Sequence, residues 1–176
     1  MKVEMETENY HEIKNDALRF IRTYQRNRFK DRTFQSYLLC CIPEHQLEKR
    51  FTCALVEWLL ENHLDQTCET KCLILIKWLN SMLNNNLIAP CDLESHYMFL
   101  FKLIDYPCYL TALCPLLFLL SDYGNTSAWM LDKVQNLKAL NPQNRFLSML
   151  AKKIKLNEMK SQVSGDCLTW PYPAGT

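Results

Sequence analysis

Apolar residues recur along most of the chain at spacings of three and four, which is the pattern of amphipathic α-helices. The most apolar stretch is residues 71–83, in which only Lys71, Lys77, Asn80 and Ser81 are polar. At about 100° per residue, its apolar side chains cover nearly every side of a helix, and such a helix cannot face water. It is also shorter than the about 20 residues that span a bilayer. We therefore predict that this helix lies between other helices and buries Trp78.

The same spacing predicts further helices on both sides of this central one, about eight in all. Proline and glycine separate them, as at Pro43, Pro107 and Gly124. Thr67 and Thr70 are the expected caps of the central helix, because threonine favours that position. The other predicted helices cover residues 9–28, 34–42, 44–62, 93–105, 108–121, 126–140 and 141–156.

Short polar or proline-containing turns join these helices, so consecutive helices must lie antiparallel. The predicted fold is all-α, a stack of antiparallel helix pairs of the α-solenoid type, although no sequence repeat fixes a period. We expect a helical-repeat domain over residues 10–156. A flexible lead-in at 1–9 precedes it, and a flexible tail at 157–176 follows where the apolar periodicity ends.

Composition narrows the class of function. The 176 residues are 48% hydrophobic and 22% charged, with a formal net charge of +1, which is typical of a globular domain. There are three glycines, and Gly124 is the first. Phosphate-binding loops and nucleophile elbows need glycine for tight turns. We therefore expect no enzymatic activity, no cofactor and no small-molecule substrate.

The nine cysteines favour packed, reduced thiols, because most of them lie inside apolar runs. Cys68 and Cys72 are four residues apart, like half of a metal site, but no second pair with ligand spacing accompanies them. A cysteine–histidine nucleophile ranks lower still, since no family signature surrounds any cysteine. We expect no metal site and no catalytic residue. The four histidines of the sequence are His11, His45, His63 and His96.

The sequence also predicts no membrane association and no secretory signal. The first residues are acidic and polar, which is not the pattern of a signal peptide. Residues 109–120 come closest to a membrane span, and Pro115 interrupts them.

A basic cluster lies in the first predicted helix. Arg19, Arg22 and Arg26 recur at three and four, so they form one ridge that could contact DNA or an acidic partner. A solvated helix face is the simpler alternative. The lysines near residues 152–155 are expected to decorate the end of the last helix.

Aromatic and aliphatic residues are more abundant than a thin, two-layer helical array would bury. Trp58, Trp78 and Trp129 are examples. Stacked helix pairs expose their end faces, and an uncovered apolar patch usually binds another subunit. This surplus therefore predicts protein partners.

Several segments resemble the centromere protein I family of the inner kinetochore. The most specific is Ala112-Leu113-Cys114-Pro115, which leads into the Leu/Phe run at 116–120. The order and spacing of the segments agree over roughly residues 35–155. The others are Cys41-Ile42-Pro43, ALVEWL at 54–59, Lys77-Trp78-Leu79 with Met82, Leu131 with Lys133, and the helix at 146–153.

The resemblance implies a HEAT-like, N-terminal helical-repeat region of a structural subunit of the constitutive centromere-associated network. It implies a location in the nucleus at centromeres and kinetochores, a role in chromosome segregation, and partners that are centromere proteins H, K and M, with centromeric DNA as a further candidate. Family members are several times longer, so the resemblance implies nothing about the contacts that their C-terminal part makes. A general helical-repeat adaptor of the cytosol is the alternative hypothesis, and an enzyme built on the cysteines ranks below both.

Overall fold

The computed structural model describes residues 31–42, 46–123 and 126–166. Within these ranges 82% of the residues are helical and there is no β-strand, so the all-α prediction is confirmed for this part of the chain. This fraction includes three short 3₁₀ segments, Gln66–Cys68, Pro90–His96 and Leu103–Asp105. The α-helices are α1 (Asp31–Cys40), α2 (Lys49–Asn62), α3 (Glu69–Asn84), α4 (Tyr97–Lys102), α5 (Pro107–Leu120), α6 (Ala128–Leu140) and α7 (Arg145–Asp166).

Helix α3 is the central element, and it packs against α1, α2 and α5. Its side chains Leu75, Ile76 and Leu79 are fully buried, and Trp78 is only 7% exposed. The prediction that residues 71–83 form a helix between other helices is therefore confirmed. Burying apolar area at about 25 cal/mol per Å² makes this helix a main contributor to stability.

Alternate helices form one row, in which α1 packs on α3, α3 on α5, and α5 on α7. Hydrogen bonds between side chain and backbone connect the row. The Asn80 amide of α3 donates to the carbonyl of Ala112 in α5 at 2.8 Å, and the Asn157 amide of α7 donates to the carbonyl of Ser121 at 2.6 Å. These contacts fix the order of the row.

The remaining helices lie beside this row. Helix α2 packs on the 3₁₀ segment that leads into α4. Phe101 of α4 meets Trp129 of α6 edge to face, with ring centroids 5.4 Å apart. Helix α2 thus packs on α3 and on the segment before α4, and α6 packs on α7.

The segment predicted as one helix over residues 93–105 is broken into a 3₁₀ segment, α4 and a second 3₁₀ segment. The buried side chains Leu93, Leu100 and Ile104 recur at spacings of seven and four, which place them on one face of an α-helix but not of a 3₁₀ helix, so the apolar pattern favoured a single α-helix. The structure departs from this pattern at both ends of α4.

The predicted caps of α3 are wrong. Cys68 stands at the N-cap of α3 without a side-chain cap bond. Asp65 accepts instead, from the backbone amide of Thr67 and from its hydroxyl, each at 2.8 Å. A carboxylate is the stronger acceptor, so it captures both donors and caps the 3₁₀ turn that precedes the helix.

The predicted boundary between domain and tail falls inside a helix. α7 continues past Asn157 to Asp166, and Asn157 is tied to Ser121 as described above. The sequence from 157 onward lacks apolar periodicity, yet the helix continues there. The predicted lead-in at 1–9 and the predicted helix at 9–28 lie outside the described residues.

Candidate protein-binding surface

Large exposed apolar side chains occur on the two helices at the ends of the described row. Tyr37 and Leu39 lie on α1, where they are 40% and 56% exposed. On α7, Met149, Leu156 and Met159 are 42%, 50% and 55% exposed. Both helices carry buried side chains on their opposite faces, so these residues are what the stack leaves uncovered.

On α7 the uncovered residues form a continuous stripe. Arg145, Met149, Lys152, Leu156 and Met159 recur at spacings of three and four, which places them on one side of the helix. We call this set the α7 outer face. The buried residues Leu147, Leu150 and Ile154 lie on the other side. The face combines adaptable apolar side chains with positive charge.

A groove of about 580 Å³ runs along α6 and α7. Leucine, alanine, proline and the stems of lysines provide its apolar surface. We call it the α6–α7 groove. Its lining residues are Leu131, Gln135, Lys138, Ala139, Pro142, Ala151, Lys152 and Lys155.

A larger groove, of about 750 Å³, lies where α5 and α7 begin. Its apolar wall includes Ile104, Leu110 and Leu140, and Leu140 is 78% exposed. Asp105 and Arg145 line it as well, so its charge is mixed. Asp105 is also ion-paired with Lys133 of α6 at 2.5 Å.

The lysines of α7 differ in their surroundings, which the sequence did not predict. Lys153 pairs with Asp122 at 2.6 Å and lies over the ring of Phe118. Lys152 and Lys155 instead line the α6–α7 groove. The prediction that they decorate a helix end is wrong, because α7 extends to Asp166. Lys152 and Lys155 are three residues apart, and this spacing in the sequence already indicated that they share a helix face.

Only one of the three tryptophans that we cited as surplus apolar residues is exposed. Trp58 and Trp78 are 4% and 7% exposed, so they are buried in the chain's own core. Trp129 is 45% exposed, although its ring edge contacts Phe101. The surplus is therefore smaller than the sequence suggested, and it lies in different residues.

The arginine ridge falls outside the described part of the chain. Arg19, Arg22 and Arg26 belong to residues 1–30, whose structure is not described. Their contact with DNA or an acidic partner stays a prediction.

The thiols are partly buried, as the sequence predicted. Cys41, Cys68, Cys72 and Cys114 are buried. Burial raises the pKa of Cys72 and of Cys114 to about 12, so both stay protonated at neutral pH and are poor nucleophiles. Three further cysteines, Cys40, Cys91 and Cys108, are exposed.

No group of three or more histidine, cysteine, aspartate or glutamate side chains with metal-binding geometry occurs among the described residues. The same part of the chain has no helix that is both long and apolar enough to cross a membrane. Comparisons with protein-family models, curated proteins and solved structures found no match to this chain.

Proposed function

We propose that this chain is a non-enzymatic protein-binding scaffold, built as a HEAT-like segment of an α-solenoid. The observation that carries the proposal is the α7 outer face, where Met149, Leu156 and Met159 stay exposed. Exposed apolar stripes of this kind typically bind other subunits.

The order of packing supports the solenoid. In a helical solenoid each repeat contacts its neighbours, and alternate helices line one layer. Here α1, α3, α5 and α7 pack one on the next, as alternate helices of a solenoid would. A stack of this type ends in faces that another subunit or repeat can cover.

We further propose that the scaffold serves the inner kinetochore, as a subunit of the constitutive centromere-associated network in the nucleus. The resemblance of Ala112-Leu113-Cys114-Pro115 and the other segments to the centromere protein I family supports this assignment. Its expected partners are centromere proteins H, K and M. Their apolar helices would complete a shared interface with exposed faces of the stack.

The test measures where the full chain is located in the cell and which proteins it binds. Fluorescently tagged protein in dividing cells should form discrete foci that coincide with a centromere marker. Centromere proteins H and K, purified together, should co-elute with it in size-exclusion chromatography. Diffuse cytosolic signal and separate elution would contradict the kinetochore assignment and leave a cytosolic adaptor.

A further inference from the structure

The α6–α7 groove has an unusual charge distribution. Three of its lining residues, Lys138, Lys152 and Lys155, are cationic, and none of the described lining residues is acidic. None of the three lysines takes part in the ion pairs found among the described residues. Asp132 is exposed on α6 but does not line the groove. The groove therefore presents a concentrated positive charge.

The positive charge is interleaved with exposed apolar side chains. Lys152 lies three residues after Met149 and four before Leu156, and Lys155 lies four before Met159. Side chains at these spacings are neighbours on a helix surface. A ligand that covers the lysines also covers the apolar stripe of the α7 outer face.

We propose that this combined surface binds an acidic amphipathic helix of a partner protein. Its apolar residues would pack on Met149, Leu156 and the floor of the groove, and its carboxylates would meet Lys138, Lys152 and Lys155. This is the helix-in-groove mode of recognition, with charge selecting the partner. The inference rests on the proposed scaffold function and names the class of partner that one face of the scaffold takes.

The apolar component argues against nucleic acid on this surface. Phosphates would pair with the lysines but would leave Met149, Leu156 and Met159 without apolar contact. A second copy of the chain fits less well too. The nearest match among the described residues is the end of α2, where Glu57 and Glu61 lie near Leu64, and it offers one large exposed apolar side chain against three on the α7 outer face.

The direct test measures binding of the full 176-residue chain to defined probes by fluorescence anisotropy. The main probe is a synthetic helix of about 20 residues with leucine on one face and glutamate on the other. The comparison probes are the same residues in scrambled order, a counterpart with lysine in place of glutamate, and a short DNA duplex. Sedimentation velocity of the chain alone reports self-association.

Two variants probe the surface. The triple variant Lys138→Glu, Lys152→Glu, Lys155→Glu reverses its charge, and Ala139→Gln obstructs the groove without adding charge. Ala139 and the three lysines are all exposed, so both variants should fold, which circular dichroism checks. The matched control reverses three exposed cations elsewhere: Lys49→Glu, Arg50→Glu, Lys77→Glu.

We expect the acidic helix to bind with a Kd at least about tenfold lower than either comparison peptide, and binding should weaken as salt increases. The triple variant should raise that Kd at least about tenfold, and the control variant should leave it within about twofold. Equal binding of the scrambled peptide, tighter binding of DNA, or no effect of the triple variant would overturn the proposal. So would a dimer of the wild-type chain that the triple variant dissociates.

A parallel measurement separates this inference from the proposed function. If the wild-type chain and the triple variant co-elute equally with centromere proteins H and K, and the acidic helix does not bind, the scaffold function stands and this surface assignment fails. If the wild-type chain neither co-elutes nor forms centromeric foci, the kinetochore function fails whatever the peptide result.

Discussion

Helices α3 and α7 belong to the same row but differ in how they are covered. α3 has a row neighbour on each side and α2 beside it, whereas α7 packs against α5 and α6. The contrast is clearest in two leucines: Leu79 of α3 is fully buried, and Leu156 of α7 is 50% exposed.

Between these two helices, the same residue type differs in exposure according to how many neighbouring helices cover it. In α3 the apolar residues hold the chain's own layers together. In α7 one side does the same through Leu150 and Ile154, and the other side faces solvent. A helix with two such sides can close the core and still offer a binding surface.

The largest expected effect is on the free energy of unfolding. Leu79→Ala should lower it by about 2–5 kcal/mol, because it leaves a cavity in a close-packed core. Leu156→Ala is the matched control on α7 and should change it by less than about 0.5 kcal/mol. Urea unfolding followed by circular dichroism measures both. Equal effects would remove the distinction between the two helices.

The second expected effect is a pH dependence that comes from α3. Burial raises the pKa of Cys72 from its ordinary value of 9.0 to about 12, although a hydrogen bond with Tyr109 lowers it. The folded chain therefore keeps a proton that the unfolded chain releases, and the stability from this group is complete below about pH 9 and is lost as pH rises towards 12.

The variant Cys72→Ala isolates this effect from other titrating groups. The wild type should be more stable at pH 7, and its advantage should shrink as pH rises above about 9. Urea unfolding of both proteins across this range measures the difference. A constant difference would contradict a buried, protonated thiol in α3.

Comparison of the predicted and observed elements shows what apolar patterning can determine. The burial of residues 71–83 follows from side chains that are apolar all round, which no surface helix tolerates. The end of α3 was also predictable. Asn86 has φ 57°, a left-handed conformation that asparagine adopts more readily than most residues, after the asparagine run at 84–86.

The candidate surface was harder to predict. Trp58 and Trp129 both lie at apolar positions of helical repeats, yet one is buried and the other is half exposed. The sequence does not state which helix is last in a row, so it cannot say which apolar face remains open. Lys138 of α6 and the two lysines Lys152 and Lys155 of α7 line the same groove only because of tertiary packing, which the sequence does not show.

A smaller effect concerns the contact of α3 with α5. Asn80→Ala removes the hydrogen bond to the carbonyl of Ala112 and should lower the free energy of unfolding by about 1 kcal/mol. Asn84→Ala is the matched control, because its amide bonds within α3 and is exposed. If Asn84→Ala costs as much in urea unfolding, the cross-helix bond is not what stabilises the row.

The smallest effect is at the entry to α3. Hydrogen bonds from Thr67 hold the pKa of Asp65 below its ordinary value of 3.8. The stability that they contribute is present above that value and is lost as pH falls through the folded-state pKa. Asp65→Asn should therefore be slightly less stable than wild type at pH 7 and should match it in acid. A difference that persists at low pH in thermal unfolding would contradict this origin.

Methionine oxidation tests the contrast between α3 and α7 most directly. Met82 of α3 and Met130 of α6 are 4% and 0% exposed, whereas Met149 and Met159 of α7 are 42% and 55% exposed. Under dilute hydrogen peroxide, with sulfoxide at each site measured by mass spectrometry, Met149 and Met159 should oxidise at least about tenfold faster than Met82 and Met130. Oxidation of Met82 at the rate of Met149 would contradict a covered α3 and an open α7 outer face.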